Sequence, residues 1–210
     1  MKALILVDIQ NDFTPGGALA VEQGDQVVPV ANRLMPHFDL VVATQDWHPA
    51  DHLSFASRHP GKQVGHVIEL DRLPQVLWPD HCVEETPGAA LADGLDRQRI
   101  DHIVRKGTNP AIDSYSGFFD NGHRQATGLG EYLKDRGVDE VYVCGLATDY
   151  CVKFTAIDAV DLGFSTHLIL DGCRGVELKA GDVERALQTL REKGVCITES
   201  EQIISESDDR

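Results

Sequence analysis

Short runs of aliphatic and β-branched residues alternate along this chain with segments whose apolar positions recur at helical spacing, and that alternation leaves few folds open. Residues 2–8, 39–44, 102–106, 140–145, 165–170 and 195–198 read as strands. Most are continuously apolar, as strands buried on both faces are. The expected fold class is therefore α/β, a doubly wound and mostly parallel six-stranded sheet with helices on both faces. Residues 26–38 carry Val27, Val30, Leu34 and Phe38 at helical intervals. Segments 129–136 and 151–162 run into Gly137 and Gly163 where a C-cap belongs, and 181–193, with Val183, Leu187 and Leu190, forms the last helix before Gly194. The polar tail, 205–210, reads as frayed.

A chain of 210 residues fits one domain, large enough to bury a core without disulfides or a structural metal. With 34 acidic against 19 basic residues and a net charge of −15, its surface repels nucleic acid and anionic membranes, so a small neutral ligand is the better partner. No apolar run approaches the roughly 20 residues of a membrane span, and the expected location is the cytoplasm. A homo-oligomer is left open. The five cysteines, an odd number without paired spacing, read as reduced thiols. Cys144 and Cys196 lie in strand-like runs and read as small core hydrophobes. Only the stretch from about 46 to 96 breaks the rhythm. It is rich in His, Pro and Gly, has short candidate strands such as 64–70, and its aromatic content speaks for order.

Chemistry-bearing side chains collect at the carboxyl ends of the strands, where open α/β sheets bind ligands. Asp8 ends the first strand and Lys106 the third, while Cys151 begins the helix after the fourth. Each has a plain structural reading: a helix cap, a solvated charge, a packed thiol. Together they can form a charge-coupled nucleophile, because free N–H groups at a loop-to-helix junction favour a thiolate and an oxyanion. Asp46 and His48, two apart after the second strand, project to one side if the chain stays extended, and His81 can supply a third donor. Two histidines and a carboxylate suit zinc, and also iron or manganese, with positions left open. His52, His59 and His66 compete for the same role.

Six ordered motifs then carry a resemblance over nearly the whole chain. They are Asp8-Ile9-Gln10-Asn11-Asp12-Phe13, Gln45-Asp46-Trp47-His48-Pro49, Trp78-Pro79-Asp80-His81-Cys82, Lys106-Gly107, Asp113-Ser114-Tyr115-Ser116-Gly117-Phe118, and Gly145-Leu146-Ala147-Thr148-Asp149-Tyr150-Cys151-Val152. The chain resembles the nicotinamidase branch of the isochorismatase-like cysteine hydrolases. Relatives acting on other amides generally lack the metal motif, and isochorismatases lack the cysteine. The resemblance implies a triad of Asp8, Lys106 and Cys151. It also implies an oxyanion hole from the Ala147 and Cys151 amides, with a cis Leu146–Ala147 bond. Asp46, His48 and His81 would hold one divalent metal, zinc foremost, and His52 is left out of that set. Phe13 and Trp78 would flank a substrate ring, with Leu19 and Tyr115 further along the wall. The implied reaction is hydrolysis of nicotinamide to nicotinate and ammonia through a thioester, with pyrazinamide as a related substrate. The alternatives are an amidase for another small amide and an inactive ligand-binding homologue.

Overall fold

The first strand organises the sheet, because it has no face that tolerates water. Ala3, Leu4, Ile5, Leu6 and Val7 are all fully buried, and each larger aliphatic side chain withdrawn this way stabilises the fold by about 1.5–3 kcal/mol. The computed structural model describes residues 1–208. In chain order its elements are β1 (Lys2–Val7), α1 (Val27–Leu34), β2 (Leu40–Asp46), β3 (Val67–Leu70), β4 (Leu73–Val76), β5 (His102–Lys106), α2 (Leu129–Asp135), β6 (Glu140–Leu146), α3 (Lys153–Asp161), β7 (Ser165–Arg174), α4 (Asp182–Glu192), β8 (Cys196–Thr198) and α5 (Ser200–Asp208). The main sheet has the order β5-β2-β1-β6-β7-β8 with every pairing parallel, and β3 and β4 form a separate antiparallel hairpin. Helices α1 and α5 pack together over β7, as do α3 and α4 over β7 and β8.

The chain leaves β1 toward β2 and β5 on one side, then crosses to β6 on the other. That reversal creates a crevice at the carboxyl ends of the central strands. Register keeps the ends level: Val7 pairs with Gly145, and Asp46 with Lys106.

Several boundaries differ from the sequence reading. The helix expected over 26–38 stops at Leu34 and tightens into a 3-10 turn at Met35–His37, where Pro36 brings no N–H to continue the ladder. The helix expected from Cys151 begins instead as a π-helical turn, Thr148–Val152. Strand β4 was not anticipated because Pro74 argues against a strand, and a two-stranded edge position tolerates it. The tail is not frayed through 205–208. It continues α5, whose Ile203 and Ile204 pack on the core, while 209–210 lie outside the described residues. Cys144 is buried as expected, but Cys196 is exposed, because β8 is the edge of the sheet.

Candidate active site

Asp8, Asp46, Lys106 and Cys151 come from four consecutive neighbours in the sheet and meet below the crevice, all of them buried. Asp8 stands immediately after β1 at φ +47°, a region few non-glycine residues occupy. Its backbone N–H donates to Thr44 Oγ1 at 3.2 Å, and the Thr44 hydroxyl donates back to Asp8 Oδ1 at 2.6 Å. The carboxylate is thereby turned with Oδ2 toward Lys106 and Cys151.

Lys106 is the hub. Its Nζ donates to Asp46 Oδ1 at 2.5 Å, to the Ser114 carbonyl at 2.8 Å and to Cys151 Sγ at 3.5 Å, which uses all three ammonium protons. Asp8 Oδ2 lies 2.8 Å from the same nitrogen yet outside hydrogen-bond alignment. That oxygen keeps a lone pair free for the thiol proton. Burial opposes charge on Lys106, but Asp46 and Asp8 outweigh it and hold the ammonium well above its ordinary pKa. One cation thus serves two carboxylates. Asp46, in closer contact and beside His48, is held well below the usual carboxylate range despite its burial. Asp8 is raised, chiefly by burial, with Lys106 opposing. Burial also pushes Cys151 well up against the pull of Lys106. Cys151 accordingly rests as a thiol, facing a carboxylate that could take its proton.

On the other side of Asp46, its Oδ2 lies 3.4 Å from His48 Nε2 and 3.8 Å from His81 Nε2. One donor atom from each of these three residues falls within 4.8 Å of the others. The rings are turned by their far nitrogens: His48 Nδ1 meets the Gly107 carbonyl at 2.9 Å and His81 Nδ1 the Pro79 carbonyl at 2.8 Å. Such bonds fix the tautomer that leaves Nε2 free to ligate. His48 Nε2 is buried without a hydrogen-bond partner, a cost that a cation would relieve. The donor set therefore fits a divalent metal. His52, set aside in the sequence reading, lies against this cluster, its ring centroid 4.3 Å from that of His48 and its buried Nε2 also without a partner. Burial draws its pKa down to about 4, so it is a neutral imidazole. Gly107 is dictated by the same crowding: at φ +65°, an added Cβ would stand 2.4 Å from His48 Cε1.

Phe13, Leu19, Trp78 and Tyr115 line one cavity with Asp46, His81, Ala147 and Cys151. The structure thus brings all the sequence-predicted site residues together, and the Leu146–Ala147 bond is cis. The sequence reading missed Tyr150, Val176 and Asp113 on the same wall. Tyr150 and Asp113 stand inside the quoted motifs, whereas Val176 carried no signal. It also missed Gln10, whose side-chain amide pairs with both backbone groups of Asp46 at 2.8 Å and so fixes the residue whose carboxylate faces His48 and His81.

Residues 2–202 match the isochorismatase domain family. The chain is 50% identical over 200 residues to the nicotinamidase of Escherichia coli K12, covering 93% of each protein. A solved nicotinamidase/pyrazinamidase of Acinetobacter baumanii superposes with a TM-score of 0.94 at 50% identity, covering 96% of this chain and 97% of that one. A zinc complex of the Pyrococcus horikoshii pyrazinamidase gives a TM-score of 0.77 at 40% identity, covering 94% and 98%. By sequence and fold, the chain belongs to the isochorismatase family and stands among its nicotinamidase members.

Proposed function

We propose that this chain hydrolyses nicotinamide to nicotinate and ammonia, with Cys151 as nucleophile and Asp8 as the proton carrier. The observation that carries the reading is the convergence of Asp8 and Lys106 on Cys151, which lines the same cavity as Asp46 and His81. Near-identity of fold with nicotinamidases supports the substrate.

Asp8 Oδ2 takes the Cys151 proton as sulfur attacks the amide carbon. The backbone N–H groups of Ala147 and Cys151 receive the oxyanion. Collapse breaks the C–N bond, and the proton held on Asp8 goes to the departing nitrogen, which leaves as ammonia. A water then attacks the thioester while Asp8 removes its proton, and the carbon–sulfur bond breaks. Sulfur regains a proton and nicotinate remains. Lys106 keeps its charge throughout and offsets the negative charge that passes from Asp8 to sulfur and back.

Asp46, His48 and His81 would hold a divalent metal, zinc first among the candidates, which when bound supplies a Lewis acid for the pyridine nitrogen of the substrate. Phe13 and Trp78 flank the ring, with Leu19 and Tyr115 beside them, and pyrazinamide keeps the same ring nitrogen and carboxamide. The test is ammonia release from nicotinamide by metal-replete protein, beside Cys151→Ala and a chelator-treated sample. Turnover by the wild type with both controls silent is the expected result; a silent wild type refutes the substrate assignment.

A further inference from the structure

Behind Tyr115 and Tyr150, two walls of the catalytic cavity, lies an open groove of about 400 Å3 between the β3–β4 hairpin and helices α3 and α4. Four charged groups line it, and three of them are already satisfied. Asp149 accepts the backbone N–H groups of Val176 and Glu177 at 2.9 and 2.8 Å. Asp182 and Arg185 pair with each other at 2.6 Å. The fourth, Lys153, is half-buried at the first turn of α3. Among the described residues its Nζ makes no hydrogen bond and has no carboxylate oxygen within ion-pair distance; it lies over the rings of Phe154 at 4.6 Å and Tyr150 at 5.9 Å. Burial lowers its pKa, with Asp149 and Asp182 opposing from a distance. A half-buried ammonium beside the active cavity, held by ring faces and by no hydrogen bond, marks a place for an anion.

The chemistry next door provides one. Amide hydrolysis turns a neutral ring compound into an aromatic carboxylate. We infer that the groove is a second ligand site, for aromatic monocarboxylates, in which Lys153 Nζ meets the carboxylate and the Tyr150 and Phe154 rings meet the apolar ring. Nicotinate leaving the cavity is the source that the reaction supplies, so the inference rests on the function proposed above. Another cellular aromatic carboxylate would satisfy the same contacts.

Benzoate separates this site from the catalytic one, because it has a carboxylate and a ring but no ring nitrogen for a metal. Calorimetric titration of metal-loaded wild type, Lys153→Met and Lys153→Arg with benzoate and with nicotinate tests the inference directly. Wild type is expected to bind benzoate in the presence of saturating 3-acetylpyridine, which has the ring nitrogen but no carboxylate, and to bind nicotinate at two sites. Lys153→Met should weaken benzoate by about tenfold, the loss of one charge-assisted contact, and Lys153→Arg should restore most of it. Equal benzoate affinity in wild type and Lys153→Met, or complete displacement of benzoate by 3-acetylpyridine, overturns the inference. Nicotinate binding at two sites without any benzoate binding would overturn it likewise, because the groove would then read the ring nitrogen and not the carboxylate. Ammonia release by the wild type, recorded on the same samples, reports separately on the proposed function, because anion binding is read without turnover.

Discussion

A carboxylate that must lift a proton from sulfur has to be basic without being protonated when substrate arrives, and at Asp8 one hydroxyl helps set that balance. Burial raises the Asp8 pKa, and the charge of Lys106 and the bond from Thr44 pull it back. Thr44→Val removes the 2.6 Å donor to Oδ1, so the ionised form loses support and the pKa rises further. Because the base acts ionised, the acid limb of kcat/KM should move to higher pH. The rate at neutral pH should fall by roughly ten- to a hundredfold, the worth of a hydrogen bond to a buried charge. Thr44→Ser keeps the hydroxyl and should keep the profile. A pH–rate curve for Thr44→Val that overlays the wild type would remove this role. Lys106→Met tests the hub: it leaves Asp8 and Asp46 buried together without a cation, and urea unfolding of metal-free protein should show a loss of about 3–5 kcal/mol.

Elements carry these groups to one another through short clamps. Asp12, in the turn after β1, accepts the Ala18 N–H on Oδ1 at 3.1 Å and the Cys82 N–H on Oδ2 at 2.7 Å. One carboxylate thus ties the loop bearing Leu19 to the loop bearing His81. Asp12→Asn has a single acceptor for two amides, so metal titration with a chromophoric competitor should show affinity about tenfold weaker, in the range of outer-contact changes at metal sites. Unchanged affinity would mean that His81 is held by its own loop. Clamps of this kind were not legible in the sequence, because Asp12 and Cys82 are 70 residues apart and nothing local pairs them. Strand ends were legible: an apolar run has a definite end, and Asp8 and Lys106 stand on two of them. The direct Asp46–Lys106 contact was not, since it follows from parallel register between β2 and β5. Nor was Val176, an ordinary aliphatic residue whose place on the cavity wall depends on Asp149 holding its backbone. The hairpin strand β4 was hidden by Pro74, and His52 by the length of its loop.

At the scale of the whole molecule, the charge and the fold meet at the Asp46–His48–His81 cluster. The crevice gathers Asp8 and Asp46 around the single Lys106, with His48 and His52 each presenting a buried nitrogen that has no partner. A folded chain bears the cost of those orphaned groups, and an unfolded chain in water does not. A divalent cation that binds only the folded arrangement recovers that cost and adds its own binding free energy, about 2.7 kcal/mol when free metal stands at 100 times its dissociation constant. For a domain of this size that corresponds to roughly 5–11 °C in Tm. Zinc-replete and chelator-treated wild type should therefore differ by that margin in a thermal scan, and His81→Ala, which removes one donor at the rim while leaving Lys106 and both carboxylates in place, should lose most of the difference. A His81→Ala protein that still gains the full margin would shift the ligand set toward His52 and Asp113, the second buried group whose donor atoms lie within 4.8 Å together with His48.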